Sequence, residues 1–380
     1  MNSFLLQKKR YNLFVLKKFR TSILCAATFV AFVVFDGSAI GQANAESALE
    51  NATVAMQEGD IKAAEQYLSD AADAGSPVAM RNLAKLHYLQ RVAEPDLELA
   101  IELLLGAVSL GLSEANIDLG ILYERGIGRP VNLELATSFY KKASDSGDVE
   151  GQYFYAKAVL ANEGGKEQVQ FALEALNEAS AAGYPPAVYA VGDLFRSGTF
   201  APVDAERALE YYKVAAQGGF VDAFNAIGDI YAFGETGLID LEQARHWYER
   251  AAKLGQIDAT YALAILMYNS PNASKVERKL AFEYAKVAAL SWHESAQHLV
   301  GRMYLEGLAV PKDEFEAYRW FDLAASAGVI DAHYLRTIAG NALGAARSKE
   351  ANRLAAEWFS ENHERPHIHR LLADGLHSFR

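Results

Sequence analysis

Histidine and aspartate are the residue types in this sequence whose spacing could support chemistry. His367 and His369 lie two residues apart after Pro366, a spacing that would suit a metal ion, and Asp193 and Asp229 recur 36 residues apart. The sequence contains no phosphate-binding G-x-x-x-x-G-K-[ST] loop, no H-E-x-x-H zinc helix and no G-x-S-x-G nucleophile elbow. We therefore predict no metal site, no cofactor and no catalytic residue, and we interpret the two histidines as part of a solvated tail.

Two positions, four residues apart, vary strongly between otherwise similar segments of the chain. Side chains at i and i+4 share one face of a helix, and tyrosine and arginine are enriched at protein interfaces. We predict that these residues form one surface for a protein partner, here called the contact stripe; packing between segments, or simple solvation, is the alternative. The contact stripe consists of Arg81, Lys85, Tyr153, Lys157, Tyr189, Asp193, Asn225, Asp229, Tyr261, His298 and Arg302.

The composition restricts the class of protein that carries this stripe. The 380 residues are 51% hydrophobic and 22% charged, which excludes a disordered polyelectrolyte because such chains hold too few apolar side chains to offset chain entropy. A net charge of −12 argues against nucleic-acid binding, since phosphate neutralisation needs clustered Lys and Arg. Length alone predicts two or three domains, and the low proline content favours helices.

Residues 1–45 have the order of a secretory signal peptide. Six basic residues precede any acid, an apolar run covers residues 23–35, and Ala43-Asn44-Ala45 supplies a cleavage site before Glu46. The apolar run is too short for a membrane-spanning helix, which needs about 20 residues. A mitochondrial transit peptide is the alternative. Cleavage would remove six bases and one acid, leaving a net charge of −17, and would also remove Cys25, the one cysteine. We predict a periplasmic or secreted protein.

An internal period of 36 residues replaces the domain count that length suggests. The helix-end motif A-[ASV]-x-x-G recurs at intervals of 36, 36, 36, 36, 36, 37 and 36 residues, with Trp292 in place of one glycine. Its first alanines are Ala71, Ala107, Ala143, Ala179, Ala215, Ala251, Ala288 and Ala324.

Each period reads as two helices joined by a turn that contains glycine. The first helix follows A-x-x-x-[LVI]-[GA]-x-[LIM]-[YF], and its glycines predict close approach of two backbones at Gly120, Gly192, Gly228 and Gly301. The second helix follows D-x-x-x-A-x-x-[WFY]-[YF]-x-x-A-A, which begins with a predicted N-cap and carries an aromatic pair between alanines. We interpret the aromatic pair as packing between neighbouring hairpins.

This combined pattern resembles the Sel1-like repeat over about residues 60–360. The resemblance implies an all-α fold, an α-α superhelix or solenoid of about eight stacked antiparallel helix pairs, close in architecture to tetratricopeptide repeats. We expect a signal peptide at 1–45, an N-terminal cap and partial repeat at 46–78, repeats at 79–365 and a C-terminal tail at 366–380. Two units depart from the pattern, one from Gly151 and one from Ala259, because both lack the glycine turn.

The resemblance implies a protein-binding role. We expect a non-catalytic adaptor or regulator of the bacterial envelope that holds one or more proteins in its concave groove, without nucleic acid and without a transmembrane segment in the mature chain. Signalling, exopolysaccharide or surface assembly, and host interaction all fit this expectation. The alternatives are a hydrolase of the β-lactamase or penicillin-binding type, as described for cysteine-rich relatives, and a structural spacer. The absence of cysteine after residue 25 weakens the hydrolase alternative.

Overall fold

The computed structural model describes residues 34–162, 165–200 and 202–362, and in these residues it contains eighteen α-helices and no strand. The basic run and most of the apolar run of the predicted signal peptide lie outside the described residues. The predicted tail at 366–380, with His367 and His369, lies outside them as well. The chain forms two compact units, one ending at Ala136 and one beginning at Thr137. In the described part, no helix combines the length and the apolar character needed to cross a membrane.

The first unit is built from consecutive helices that each pack on the next. Its core consists mainly of alanine and leucine, including Ala52, Leu68, Leu83 and Leu86. The first helix continues through the predicted cleavage point after Ala45 without a break. The helices of this unit are α1 (Val34–Glu58), α2 (Ile61–Asp73), α3 (Pro77–Tyr88), α4 (Leu97–Ser109) and α5 (Glu114–Arg125).

The second unit repeats the same arrangement in a longer series, and the boundary between the units falls inside α6. Its helices are α6 (Leu133–Asp145), α7 (Val149–Ala161), α8 (Lys166–Ala181), α9 (Pro185–Ser197), α10 (Ala205–Gln217), α11 (Val221–Phe233), α12 (Leu241–Lys253), α13 (Ile257–Asn269), α14 (Lys275–Leu290), α15 (Glu294–Glu306), α16 (Glu314–Ser326), α17 (Ile330–Leu343) and α18 (Ala345–Asn362).

Contacts at both ends of a hairpin show that its two helices are antiparallel. In α9 and α10, the backbone N–H of Asp204 donates to Phe195 O at 2.9 Å, which joins the end of α9 to the start of α10. Pro185, at the start of α9, lies against Gly218 just after α10. The first helices of successive hairpins also contact one another, α11 with α13 and α13 with α15. The predicted all-α fold of paired antiparallel helices is therefore confirmed.

The helices begin and end where the sequence supplies caps. Asp204, Asp240 and Asp313 each accept a hydrogen bond from a backbone N–H in the first turn of the following helix, as the sequence predicts. Such caps satisfy donors that the helix itself leaves unpaired and contribute about 1 kcal/mol each. At the other end, Gly198 and Gly234 close α9 and α11 with left-handed φ values of +70° and +66°.

Within a hairpin, one position of the first helix matches one position of the second in volume. In α11 and α12, a Cβ on Gly228 would lie 2.5 Å from a ring carbon of Tyr248, so only glycine leaves room for the ring. Where the first helix has alanine instead, the second helix has leucine or alanine. The glycine pairs are Gly192 with Tyr212, Gly228 with Tyr248 and Gly301 with Phe321. The alanine pairs are Ala84 with Leu104, Ala156 with Leu176 and Ala264 with Ala285. The side chains of all these residues are buried.

At Gly192, Gly228 and Gly301 the nearest atoms belong to an aromatic side chain of the second helix, whereas the sequence predicted close approach of two backbones there. The contacts also place the aromatic pair differently from the sequence interpretation. Tyr212 packs on Gly192 of its own hairpin, and Tyr211 stacks on Phe195 of the same hairpin, with ring centroids 5.6 Å apart. The aromatic pair therefore closes its own hairpin, whereas the sequence pattern suggested contact between neighbouring hairpins.

Trp292 occupies a backbone position that glycine holds in the other periods. Its φ is +69°, and the seven equivalent glycines have φ between +79° and +96°. A left-handed conformation costs a residue with a Cβ roughly 1 kcal/mol, so another contact must offset it. The Trp292 ring packs at a tilt against Trp358 of α18, with ring centroids 4.9 Å apart, and meets Phe359 edge-on with centroids 5.3 Å apart. The substitution thus fastens the last described helix to the turn before α15.

Candidate partner-binding cleft

A cleft of about 780 Å³ lies in the second unit. It is bounded by α11, α12, α13 and the first turn of α14. Its volume falls in the range of about 300–1,000 Å³ that is usual for ligand pockets. Three contact-stripe residues, Asn225, Asp229 and Tyr261, line it. Other side chains that line it are Phe233, Leu241, Glu242, Arg245, Tyr248, Asp258, Ile265, Leu266 and Glu277.

Helix α11 presents Asn225 and Asp229 to the cleft from one face, because the two residues are four apart. The Tyr248 hydroxyl donates to Asp229 Oδ1 at 2.7 Å, and Asn225 Nδ2 lies 3.5 Å from Asp229 Oδ2. Burial raises the pKa of Asp229, while the hydrogen bond from Tyr248 acts in the opposite direction. Burial and the nearby Asp229 also raise the pKa of Tyr248, so its hydroxyl stays protonated and donates.

Arg196 is a residue of this site that the sequence reasoning missed. Its guanidinium joins two hairpins: it donates to Glu235, just beyond α11, at 2.6 Å, and it lies 3.7 Å from Asp229 Oδ2. The pairing with Glu235 raises the pKa of Arg196. Arg196 does not recur at the equivalent positions of other periods, so the repeat pattern contained no signal for this ion pair.

The floor of the cleft comes from α13 and is mainly apolar. Ile265 and Leu266 contribute aliphatic surface. Tyr261 stacks on His293 with ring centroids 4.4 Å apart, and burial raises the pKa of the Tyr261 hydroxyl. Phe233 at the end of α11 is 69% exposed beside this floor. The cleft therefore offers aromatic and aliphatic surface to a partner, the composition of interface cores.

The rim of the cleft is acidic. Asp229, Glu242, Asp258 and Glu277 line it with one cation, Arg245. Arg245 already forms ion pairs within the protein, because its Nε donates to Glu249 at 2.9 Å and its guanidinium lies 3.8 Å from Glu277.

The neighbouring contact-stripe residues Tyr189 and Asp193 make a similar set of contacts in α9 but do not line the cleft. The Tyr212 hydroxyl donates to Asp193 at 2.6 Å. The Tyr189 ring packs between Tyr212 and Phe220, with centroid distances of 5.1 and 5.0 Å. Burial raises the pKa of Asp193 and of Tyr189. Both polar groups are thus engaged within the protein.

The stripe residues of the first unit are placed in an interior cluster. Lys85 is 2% exposed, and its ammonium lies 3.9 Å from Asp118 Oδ1. Arg81 Nε donates to Asp118, and the Tyr88 hydroxyl donates to the same carboxylate at 2.9 Å. Lys85 therefore has almost no surface to offer a partner, and its ammonium faces a buried carboxylate that the sequence reasoning did not single out.

The remaining stripe residues are dispersed along the second unit. Tyr153 packs edge-on against Phe154 and Tyr184, and Lys157 is exposed. His298 lies 5.7 Å from the Phe321 ring centroid, and burial lowers its pKa. Arg302 pairs with Glu306 at 3.0 Å. The structure thus brings Asn225, Asp229 and Tyr261 into one cavity and leaves the other eight stripe residues outside it.

A smaller cavity of about 360 Å³ lies among α16, α17 and α18. Its buried carboxylate, Asp322, accepts hydrogen bonds from Arg336 Nη1 at 2.5 Å and from Asn352 Nδ2 at 3.0 Å. These bonds join three helices, so we interpret the cluster as structural. Across the described ranges, no group of three or more His, Cys, Asp or Glu residues is arranged to hold a metal ion.

Comparison with known families identifies the repeat. The family model described as the Sel1 repeat matches 77–112, 113–148, 185–220, 222–256, 257–291 and 294–329, more than half of the chain. The interval between the second and third matches holds α7 and α8, the hairpin that begins near Gly151 and departs from the pattern. A search of curated proteins gives no match.

One solved structure with a TM-score above 0.5 supports the fold. The chain is similar to a Sel1 repeat protein from Oxalobacter formigenes, with 23% identity, a TM-score of 0.55, and coverage of 81% of this chain and 91% of that one. It is also similar to c5321, a protective antigen of uropathogenic Escherichia coli displaying an SLR fold, with 20% identity, a TM-score of 0.47 and coverage of 88% and 79%. The predicted resemblance and the predicted solenoid class are confirmed.

Proposed function

The chain belongs to the Sel1 repeat family, and we propose that it acts as a non-catalytic adaptor that binds a partner protein in the cleft between α11, α12 and α13. One observation carries the proposal: an apolar floor, formed by Tyr261, Ile265 and Leu266, meets polar side chains at a single open cavity. Interfaces place their most important contacts on such aromatic and aliphatic surface surrounded by polar groups. For the eight contact-stripe residues that lie outside this cavity, a role in partner binding stays a prediction.

Export to the bacterial envelope belongs to the same proposal. The basic and apolar runs before the Ala43-Asn44-Ala45 site support it. We propose the division into a signal peptide at 1–45, a cap at 46–78, repeats at 79–365 and a tail at 366–380. Intact mass measurement of the protein from a periplasmic fraction should give a chain that begins at Glu46. A chain that retains Met1 would contradict export.

Partner capture tests the adaptor function. The full chain, immobilised under native conditions, should retain one protein from its source cells at a constant molar ratio. Ile265→Asp places a charge on the apolar floor and should abolish retention. Ile338→Asp in α17, outside the cleft, is the matched control and should retain the partner.

Two outcomes would contradict the adaptor function. Retention that Ile265→Asp leaves unchanged would remove the cleft from the binding surface. Absence of any partner, together with hydrolysis of a chromogenic β-lactam by the purified chain, would replace the adaptor by a hydrolase. Circular dichroism of both variants should match that of the wild type, because both side chains are partly exposed.

A further inference from the structure

The charge around the cleft is more one-sided than the charge of the chain. Four carboxylates, Asp229, Glu242, Asp258 and Glu277, face it with a single guanidinium, that of Arg245. The whole sequence has 48 acids to 36 bases, so the local ratio exceeds the average. Arg245 is already paired with Glu249 and Glu277. Arg196 offsets part of the charge of Asp229 at 3.7 Å, but it is itself paired with Glu235, so the rim still presents a net negative charge to anything that enters.

The same cavity has apolar surface that a small hydrated cation would not use. Leu241 is 54% exposed at the first residue of α12, and Ile265 lies on the floor. At the position equivalent to Leu241, the preceding hairpin has Ala205. The occupant must therefore combine an apolar group for the floor with positive charge for the rim.

We propose that the cleft binds a peptide segment of a partner protein in which an apolar side chain is flanked by lysine or arginine. This inference rests on the proposed adaptor function and specifies the chemistry of the partner. Anionic surfaces, including nucleic acids and acidic membranes, are repelled by the rim. A second copy of this acidic chain is disfavoured for the same reason. Complementary charge would give fast association that weakens with added salt.

Selection from a phage-displayed library of random twelve-residue peptides on the full chain tests the proposal. Enriched peptides should share an apolar residue with Lys or Arg on both sides. When synthesised and measured by fluorescence anisotropy, they should bind Glu242→Lys about tenfold or more weakly than wild type, which corresponds to at least about 1.4 kcal/mol.

The chain offers a closely matched control for Glu242→Lys. Glu206 has the same position in α10 that Glu242 has in α12, two residues after the capping aspartate, and it is also exposed but lies away from the cleft. Glu206→Lys makes the same change of net charge and should leave peptide affinity within about twofold. Leu241→Ala, which copies Ala205, should weaken binding about tenfold through the loss of apolar contact.

Three outcomes would overturn the proposal. They are enriched peptides that are acidic or uncharged, equal loss of affinity in Glu242→Lys and Glu206→Lys, and a library from which nothing is enriched. None of these outcomes decides whether the protein is an adaptor, because the capture experiment tests that function separately. If a partner is still retained by the wild type and lost by Ile265→Asp, the adaptor stands and only the stated partner chemistry is wrong.

Discussion

Two neighbouring hairpins line the cleft and differ in the residues that fill the space between their two helices. In α11 and α12, Gly228 leaves a gap in the first helix and the Tyr248 ring fills it. In α13 and α14, Ala264 and Ala285 stand at the two equivalent positions, and both are fully buried. A glycine beside a ring and a pair of buried alanines are therefore alternative residue choices at one place in the repeat.

This difference in volume is accompanied by a difference in polarity. Where the second helix has Tyr248, the residue after the glycine is Asp229, and the hydroxyl donates to that carboxylate. Where the second helix has Ala285, no hydroxyl is available, and the equivalent residue of the first helix is Ile265. A carboxylate at that position would lack its donor. The packing choice inside each hairpin thus decides whether the wall of the cleft is acidic or apolar.

Removal of the ring should break the first hairpin most severely. Tyr248→Ala gives α12 the residue that α14 has at this position, but it leaves Gly228 with no side chain to fill the gap. We expect a loss of about 3–5 kcal/mol in the free energy of unfolding, measured by denaturant titration with circular dichroism. Tyr334→Ala in α17, where the side chain is 70% exposed, is the control and should change stability by less than about 0.5 kcal/mol. An equally small effect of Tyr248→Ala would contradict the packing argument.

A double-mutant cycle tests whether the two positions are coupled. Gly228→Ala alone should cost about 1–3 kcal/mol, because the new Cβ would overlap the Tyr248 ring. In a Tyr248→Leu background, which copies Ala156 with Leu176, the same change should stabilise by up to about 1 kcal/mol through helix propensity.

A glycine elsewhere provides the control for this cycle. A Cβ on Gly106 in α4 would meet only the flexible thioether of Met80 at 3.3 Å. Gly106→Ala should therefore be neutral or slightly stabilising. If the free-energy changes of the Gly228 and Tyr248 substitutions are additive, the two positions are not coupled, and the match in their volumes does not explain why these residues occur together.

The sequence predicted most of the fold because the fold repeats. The helix boundaries follow from caps such as Asp240 and Gly234, which depend on local backbone geometry and recur every 36 residues. Trp292 was visible as a departure from the period, but its reason was not. Its partners, Trp358 and Phe359, lie in a degenerate helix more than sixty residues later, where no periodic signal indicates a contact.

The site was less predictable because several of its contacts join different periods. Asn225, Asp229 and Tyr261 were found as variable positions on one helical face. The same rule also selected Lys85, which the structure buries beside Asp118. Spacing gives the face of a helix but cannot show which neighbour covers that face. Arg196, which joins two hairpins through Glu235, occurs once and left no pattern to detect.

Removal of the hydroxyl alone separates polarity from packing in the first hairpin. Tyr248→Phe keeps the ring on Gly228 but leaves Asp229 without its donor at 2.7 Å. We expect a loss of about 1.5–3 kcal/mol, less than for Tyr248→Ala, because hydrogen bonds to charged groups contribute about that much. Tyr334→Phe is the matched control and should have no measurable effect. A loss as large as that of Tyr248→Ala would show that the hydroxyl, and not the ring, holds the hairpin.

The smallest expected effect is a pH dependence that the apolar hairpin should lack. Burial raises the pKa of Asp229 above its ordinary value of 3.8. The folded state therefore holds this proton to higher pH than the unfolded state does, and stability falls as pH rises through the interval between the two pKa values. Asp229→Asn removes this dependence, so the variant should gain stability relative to wild type as pH rises from about 3.5 to 7, by less than about 1 kcal/mol.

The sign of this pH dependence distinguishes two descriptions of Asp229. The carboxylate is 25% exposed and lies 3.7 Å from Arg196, whose charge favours the ionised form and opposes the effect of burial. If the ion pair dominated, the wild type would instead gain stability over Asp229→Asn as pH rises. Tyr248→Phe provides the internal check, because loss of the hydroxyl should raise the pKa of Asp229 further and steepen the decline. Denaturant titrations of the three proteins over the same pH range decide between burial and pairing at the wall of the cleft.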